Sequence, residues 1–500
     1  MSVAEPMNRT PSRVEPTPDA RAASGASRLP FLAMLYLIAL MLPVKFYLGS
    51  LAISPARLLL MIIIIPMTLN LFSGKYGRVL PVDILFILHV AWAGVALGIN
   101  NPGQFVENTG SILLEFIGGY LVGRAYIRSP QEFVGLIKAL IFIVAATLPF
   151  AIAEALLDRS LILEWFRMTG LQTFDEVYHA PRMGLYRAQV NFTHPIHYGL
   201  FCSLVLSLTY VGLRTVVSSF SRYLFTGIVM VTVLLSLSSG ALLAAGLQIG
   251  LILWDWVFRR MKRRWLLLVG FFVFMYLVID ILSNRSPIQV MMSYATFSSH
   301  NAWWRAIIFE WGMKNVWANP IFGLGLNEWV RPYYMYTSSM DNFWLVMAVR
   351  YGIPGFLLIV AGYIDALWRV GRRKFEPLTL VSNLRLAWMF VFMGLSFTLS
   401  TVHIWEVVYS FVFFMLGAGL WLTDYQVDES AKATDSPAAA RPPAPVLSRE
   451  MGMTLSRDHA EESAPAGDED ERRGAAAPYT RFHEEKTRDG RTPPKPRRRR

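Results

Sequence analysis

The sequence predicts an all-α, polytopic membrane protein with about twelve transmembrane helices and two long outward-facing loops. Of its 500 residues, 54% are hydrophobic and only 16% are charged. A soluble globular protein carries roughly 25% charged residues. Apolar runs of about 20 residues, the length that a bilayer requires, recur along the chain. Basic residues fall in alternate loops between these runs, which is typical of a multi-pass topology.

The net charge of +12 does not indicate a nucleic-acid partner. Much of the Lys and Arg content lies in short loops and at the extreme C-terminus, where it sets topology rather than forming a groove for DNA. The single cysteine, Cys202, lies within an apolar run and cannot form an intrachain disulfide. The sequence carries no nucleotide-binding, kinase or hydrolase motif, so the energy for any reaction must come from an activated substrate.

The predicted spans are the segments that stay mostly apolar for about 20 residues. They lie near residues 30–49, 53–73, 80–98, 108–127, 134–157, 194–213, 223–238, 240–258, 265–283, 342–366, 384–402 and 404–423.

Loop charges orient these spans. Basic residues occupy alternate connections: Lys75 and Arg78, Arg124 and Arg128, Arg214 and Arg222, residues 259–264, and residues 369–374. The positive-inside rule places these connections in the cytoplasm, together with both termini.

Two of the outward loops are long, at residues 158–193 and 284–341. Long loops in a compact protein are commonly functional. Within residues 302–314, large apolar side chains recur at helical spacing: Trp304, Ile307, Ile308 and Trp311. This pattern predicts an amphipathic helix in the membrane interface, which would hold Arg305 at headgroup depth.

The two tails differ from the membrane domain at residues 29–423. Residues 1–28 and 424–500 are rich in Pro, Ala, Ser and mixed charge, and they predict disordered segments in the cytoplasm. The basic run at residues 493–500 either contacts anionic lipid or stays solvated.

Several arginines lie where the positive-inside rule disfavours them: Arg182, Arg187, Arg305, Arg331 and Arg350. A guanidinium stays charged and matches phosphate geometry bidentately. These residues therefore predict a site for an anionic ligand, and a lipid diphosphate fits best. For Arg182, Arg187 and Arg305, the alternative is contact with lipid headgroups or ion pairs with Glu164, Asp175 or Glu176.

His194 and His197 flank Pro195, and the proline marks the start of a span. A histidine pair at this spacing suits a metal, but no third ligand is evident nearby, so the sequence predicts no metal site. His194 is a candidate acid, base or substrate contact. Helix capping or packing is the alternative.

Asp341 precedes Asn342 at the start of the tenth span. It is a candidate general base for a sugar hydroxyl, and an N-cap is the alternative role. The glycine-containing segment 319–327 lacks the ending of a nucleotide-binding loop. It predicts instead a turn that lets the chain approach another backbone or a ligand.

Taken in order, these segments resemble the O-antigen polymerase and ligase superfamily of bacterial inner-membrane glycosyltransferases. The matching segments are Arg187 with residues 194–199, residues 235–242, Arg305 with residues 320–325, and residues 341–342 with residues 350–355. The resemblance covers roughly residues 30–423. It implies an undecaprenyl-diphosphate-linked glycan as donor, outside the cytoplasm, and no metal or other cofactor. It further implies that Arg187 and Arg305 bind the diphosphate while the acceptor sugar attacks the anomeric carbon.

Two positions depart from the pattern of the family. Ser239 stands where many relatives carry Arg, and Asp341 stands where ligases carry His. The second departure favours a polymerase of exopolysaccharide, capsule or O-antigen repeats. The alternatives are a ligase that transfers the finished glycan to lipid A core or protein, and a lipid-linked sugar transporter or flippase. The expected partners are the lipid-linked oligosaccharide, membrane lipids and other polysaccharide-assembly proteins.

Overall fold

The computed structural model describes residues 28–48, 51–177, 180–283, 290 and 299–426. The disorder predicted for the two tails falls almost wholly outside these ranges. Among the described residues, nine helices are long and apolar enough to cross a membrane. The protein is therefore an all-α, multi-pass membrane protein, as the sequence predicts.

The regular elements of the described chain follow in order. They are α1 (Phe31–Met41), β1 (Phe46–Leu48), β2 (Leu51–Ile53), α2 (Pro55–Phe72), α3 (Pro81–Asn100), α4 (Phe105–Ile112), α5 (Gly119–Tyr126), α6 (Pro130–Leu157), α7 (Leu161–Met168), α8 (Pro195–Ser207), α9 (Ser219–Leu235), α10 (Ser239–Val257), α11 (Arg264–Leu282), α12 (Ser299–Ala318), α13 (Phe343–Arg372), α14 (Leu380–Thr398) and α15 (Glu406–Gly417). Short 3₁₀ turns lie at Pro102–Gln104 and Leu420–Thr423, and π turns lie at Leu113–Gly118 and Leu208–Gly212.

Each predicted span overlaps one of these helices, but the first is shorter than predicted. Helix α1 ends at Met41, and Leu42 already has an extended backbone with ψ of 113°. Pro43 explains this end, because a proline drives the preceding residue out of the helical region and offers no N–H. The chain then forms an antiparallel hairpin in which Phe46 pairs with Ile53.

The fourth predicted span is a helix interrupted by a π turn, and glycines pack it against α15. A side chain at Gly119 or Gly123 of α5 would collide with the α15 backbone, and one at Gly417 would collide with the α5 backbone. Small residues four apart allow two membrane helices to approach closely. The contact explains why this segment tolerates an interrupted helix.

The basic loops gather at one end of the bundle, here named the basic end. The guanidinium of Arg124 donates to the backbone oxygens of Tyr76 (3.1 Å) and Arg78 (3.0 Å), and Arg128 donates to that of Lys75 (3.0 Å). Arginine side chains therefore satisfy the carbonyls at the ends of neighbouring helices, besides setting topology.

The intervening loops meet at the opposite end, here named the site end. They comprise residues 42–54, 100–105, 158–194, 236–239, 319–342 and 399–405. Hydrogen bonds join distant loops there: Lys45 to Gln172 (2.9 Å), Ala188 to Leu235 (3.1 Å), Leu326 to Asn101 (2.8 Å) and Phe343 to Val402 (3.0 Å). The structure thus separates the two sets of loops in the way that the charge pattern predicts.

Helices α8 and α15 form the centre of the bundle. Within an apolar stretch of 18 consecutive residues in each span, 94% of the residues are buried in Glu406–Thr423 and 89% in Pro195–Gly212, whereas none is buried in α11. An apolar helix with no buried residue lies at the periphery, where lipid surrounds it in a membrane. Both central helices begin at the site end, so their first turns contribute to its surface.

Candidate functional site

The segment that carries the first arginines is held in place by Glu154, near the end of α6. The Glu154 carboxylate accepts the backbone N–H groups of Gln189 (3.1 Å) and Val190 (2.8 Å), and the Ser160 hydroxyl (3.0 Å). Val190 has a φ of +57°, a conformation that a β-branched residue adopts only under constraint. The buried carboxylate supplies that constraint and fixes the chain two residues beyond Arg187.

Arg182 and Arg187 have different environments. Arg182 lies in a tight turn with Leu185 and donates to the backbone oxygen of Leu237 at 2.7 Å. The Nε atom of Arg187 is buried and has no hydrogen-bond partner within the described chain. Burial, followed by the charge of Arg182, lowers the pKa of Arg187 to about 10. Arg187 is therefore still a cation at neutral pH, held beside a second cation.

The carboxylates of the first loop do not neutralise these arginines. Glu164 pairs with Arg159 (2.7 Å), and Glu176 pairs with Arg167 (2.5 Å). Among the described residues, no ion pair joins Arg182 or Arg187 to a carboxylate. The alternative that they form ion pairs with Glu164, Asp175 or Glu176 is therefore wrong.

His194 caps α8. Its Nδ1 atom accepts the backbone N–H of Ile196 at 3.0 Å, which is the geometry of an N-cap. His197 is fully buried, with Nδ1 3.0 Å from the Thr193 hydroxyl and its ring 3.9 Å from that of Trp405. In the described part of the chain, no three His, Cys, Asp or Glu side chains are grouped as metal ligands. The capping role weighed for His194 is thus the one seen here.

Arg350 lies at a break in α13. Gly352 has φ of +70° and ψ of 178°, which no helix contains, and Pro354 follows it. A proline removes an amide from the helix, so carbonyls one turn earlier lose their usual partners. Arg350 therefore sits on the last turn of a half-helix that starts at Phe343.

The glycine turn predicted at residues 319–327 fills this break. The amides of Leu324 and Gly325 donate to the freed oxygens of Val349 (2.8 Å) and Arg350 (2.9 Å). A side chain at Gly323 would collide with the same carbonyls, which explains the glycine. The prediction that the turn approaches another backbone is confirmed, and the backbone is that of the arginine-bearing helix.

Arg305 and Asp341 interact electrostatically. Arg305, on α12, is buried, and burial lowers its pKa while the charge of Asp341 opposes that shift. Asp341 is exposed and accepts the Ser339 hydroxyl at 3.0 Å. The N-cap of α13 is instead Asn342, whose side chain accepts the Leu345 amide at 3.1 Å. The capping alternative for Asp341 is therefore wrong.

Helix α12 corrects a second prediction. Ile307 and Ile308 are 9% and 5% exposed, and Gly312 packs directly against the Leu345 side chain of α13. The predicted helix is present, but these apolar residues pack against the protein rather than lying open to the membrane interface. This packing carries Arg305 into the protein.

Arg331 differs from the other arginines because the loop already uses it. Its guanidinium pairs with Glu328 (2.9 Å) and donates to the backbone oxygen of Met335 (3.1 Å). Such contacts order the loop between α12 and α13. They leave Arg331 less available to a ligand than Arg187.

His403 and Trp405 belong to the site end but were not among the predicted residues. His403 stacks on Phe343 (6.1 Å between centroids) and on Trp405 (5.8 Å), and its buried Nδ1 has no partner within the described chain. Burial, followed by the charge of Arg350, lowers its pKa from 6.5 to about 3. The signal in the sequence is the polar and aromatic run at residues 401–405, which separates the last two spans on the outward side.

The match to a known family covers the later part of this site. Residues 224–360, which are 137 of the 500, match the family described as O-antigen ligase (Wzy_C). Four predicted site residues lie in the matched segment: Arg305, Arg331, Asp341 and Arg350. Three precede it: Arg182, Arg187 and His194. No curated protein sequence matches the chain. The match confirms the resemblance that the ordered motifs indicate: residues 224–360 are similar to the O-antigen ligase family of membrane proteins.

Proposed function

We propose that the protein polymerises undecaprenyl-diphosphate-linked oligosaccharide repeats into exopolysaccharide, capsule or O-antigen at the outer face of the bacterial inner membrane. The basic end then faces the cytoplasm together with both termini, because loops rich in Lys and Arg stay inside. The observation that carries the proposal is Arg187, a half-buried cation beside Arg182 that no carboxylate pairs within the described chain. An anionic ligand would relieve the cost of holding two cations together.

The arginines serve the leaving group. Expelling a lipid diphosphate develops negative charge on the leaving oxygen, and fixed cations stabilise it most in the transition state. Arg187 reaches this group from the loop after α7, and Arg350 reaches it from the half-helix of α13. In this proposal Arg305 binds the diphosphate as well, and the charge of Asp341 acts on it. Arg182 and Arg331 are the remaining candidates, with part of their hydrogen-bonding capacity given to the backbone.

Asp341 is the proposed proton acceptor. Because Asn342 performs the capping, the exposed carboxylate of Asp341 is not needed to start α13. It takes the proton of the acceptor hydroxyl as that oxygen forms a bond to the anomeric carbon. The bond from that carbon to the diphosphate oxygen breaks, and its electron pair leaves with the diphosphate. His194 lies at the start of α8 as a further candidate contact to the sugar.

A ligase is the second candidate, because the matching family is itself described as O-antigen ligase. The two reactions share the donor and differ in the acceptor. The Asp341 position, where the resemblance expects His in a ligase, favours the polymerase.

The lipid-linked glycans of whole cells test the proposal. We compare cells that lack the protein with cells that carry the wild type, Arg187→Ala or Arg159→Ala. Arg159 is the control, since it is an exposed arginine of the same loop that pairs with Glu164. Single repeats on the carrier lipid in the first and third strains, with normal polymer in the others, support a polymerase. Full-length polymer left on the carrier means a ligase, and repeats confined to the cytoplasmic leaflet mean a flippase.

A further inference from the structure

Two adjoining openings at the site end share a wall formed by Lys45 and Phe174. The outer opening has a free volume of about 420 Å³ and lies between the hairpin residue Tyr47 and the loop at residues 167–175. The inner crevice has a free volume of about 30 Å³, which admits a hydroxyl group or a water, and it leads from the same wall to side chains of α2, the π turn and α15. We name the combined space the Lys45 groove, defined by Lys45, Tyr47, Arg57, Glu115, Phe174 and Glu406.

The walls of the outer opening are tied together. The Lys45 amide donates to Gln172, and Val44 bridges to Thr173. The ammonium of Lys45 lies 4.4 Å from the centre of the Phe174 ring. Arg167 holds the loop on the other side through the Thr173 hydroxyl (2.8 Å). The opening is therefore a built feature of two joined segments.

The charges of the groove balance. Lys45 pairs with Glu406 (3.2 Å), and Arg57 pairs with Glu115 (2.6 Å). Each cation already has a carboxylate, so a second anion would find no uncompensated charge. A neutral ligand rich in hydroxyl groups suits this arrangement, because carboxylates accept from hydroxyls and ammonium and guanidinium groups donate to them.

One acceptor in the groove is unused. The Oε2 atom of Glu406 is buried without a hydrogen-bond partner within the described chain. A buried carboxylate oxygen left unpaired costs free energy that a donor from a ligand would restore. The outer opening adds an aromatic surface, since the Tyr47 side chain is 60% exposed. Such rings offer an apolar face with a polar tip at one end.

The groove lies at the same end of the molecule as the proposed reaction centre. Glu406 opens α15 directly after the loop that contains His403 and Trp405. The groove therefore lies at the same end of the protein as the loop that carries His403 and Trp405.

We propose that the Lys45 groove binds neutral sugar residues of the acceptor glycan, with Tyr47 stacking on a sugar ring at the outer opening. The proposal rests on the glycan-transfer function above and adds the region that holds the second substrate. It separates the two recognition tasks, with arginines for the diphosphate and balanced ion pairs with aromatic rings for the glycan.

The experiment measures binding without the diphosphate. The probe is the oligosaccharide that mild acid releases from the surface polysaccharide of the same cells. Its contacts with the purified full-length protein in lipid nanodiscs are recorded by saturation-transfer NMR. We compare the wild type with Tyr47→Ala and with Phe46→Ala. Phe46 is the matched control, because it is an exposed aromatic residue of the same strand and neighbouring residues point to opposite faces.

We expect the wild type and Phe46→Ala to bind alike and Tyr47→Ala to bind about tenfold more weakly. Equal binding by all three proteins, or no binding by the wild type, would overturn the groove proposal. Loss of the signal only in nanodiscs that contain phosphatidylethanolamine would also overturn it, because the groove would then hold a lipid headgroup. Arg187→Lys separates the two proposals, since it should still bind this probe while polymer formation falls. Binding that depends on Tyr47 in a protein that forms no glycosidic bond would leave the groove standing and reject the transfer function.

Discussion

The loop at residues 158–194, which carries Arg182 and Arg187 and is here named the arginine loop, lies at the same end of the molecule as the Lys45 groove. The two regions compensate charge in opposite ways. In the loop, Arg187 sits beside Arg182 with no carboxylate partner in the described chain. In the groove, Lys45 and Arg57 each contact a carboxylate. The difference teaches that a count of basic residues does not locate an anion site. The arginine that lacks a carboxylate partner indicates an anionic ligand, whereas the paired cations suit a neutral one.

The largest expected effect tests the unpaired side of this comparison. Arg187→Lys keeps the charge but replaces a planar fork of donors with a point charge, so it should lower polymer formation on the order of 1000-fold. The measurement is the rate at which repeats are converted to polymer in membranes supplied with lipid-linked repeats. Arg159→Lys, the paired arginine of the same loop, should retain the wild-type rate. Near-normal activity of Arg187→Lys would rule out bidentate binding of the diphosphate.

The second prediction separates chemistry from helix capping at two adjacent residues. Asp341→Asn should slow transfer by about 10²-fold, because general-base catalysis contributes roughly that factor, while the melting temperature stays unchanged. Asn342→Ala removes the cap and should lower stability by about 1 kcal/mol. Thermal unfolding in detergent and the polymer rate are measured for both variants. If Asp341→Asn forms full-length polymer at a normal rate, Asp341 is not the base.

The sequence predicts the membrane fold well because span length and loop charge are local properties. The arginine positions are also readable from the sequence, since positive residues in outward loops conflict with topology. The sequence does not show whether an arginine forms an ion pair, because the partner can lie anywhere along the chain. Glu328 is three residues from Arg331, whereas Glu115 is 58 residues from Arg57. The N-cap of α13 is Asn342 rather than Asp341. The sequence offers both residues at adjacent positions and does not show at which of them the helix starts.

The groove itself escaped prediction for a related reason. Its charged residues come from the first hairpin, α2, the π turn and α15, so only the packing of the bundle brings them together. The end of α1 at Met41 was also missed, although Pro43 gave a local signal for it. A first helix that extended to residue 49 would include Lys45 and Tyr47, so the hairpin segment that carries them could not form.

The third prediction concerns pH and the histidine beside Arg350. The pKa of His403 is about 3 in the folded protein, below its ordinary value of 6.5. The unfolded chain therefore binds a proton that the folded chain rejects, and stability falls as the pH is lowered from about 6.5 toward 3. His403→Gln should flatten this part of the stability curve, measured by thermal unfolding in detergent at several pH values. An unchanged curve would show that other groups control acid stability.

The smallest expected effect concerns Arg331, an arginine of the proposed site that already has a carboxylate partner. Arg331 pairs with Glu328 and donates to Met335, so its charge is already compensated and its fork is partly used. Arg331→Ala should therefore lower polymer formation by less than about fivefold, because removing a partly exposed ion pair costs about 1 kcal/mol or less. The same membrane assay measures the rate, and Glu328→Ala is the matched variant. If Arg331→Ala lowers polymer formation as much as Arg187→Lys does, pairing with a carboxylate does not distinguish structural from ligand-binding arginines. The paired cations of the Lys45 groove would then no longer argue for a neutral ligand.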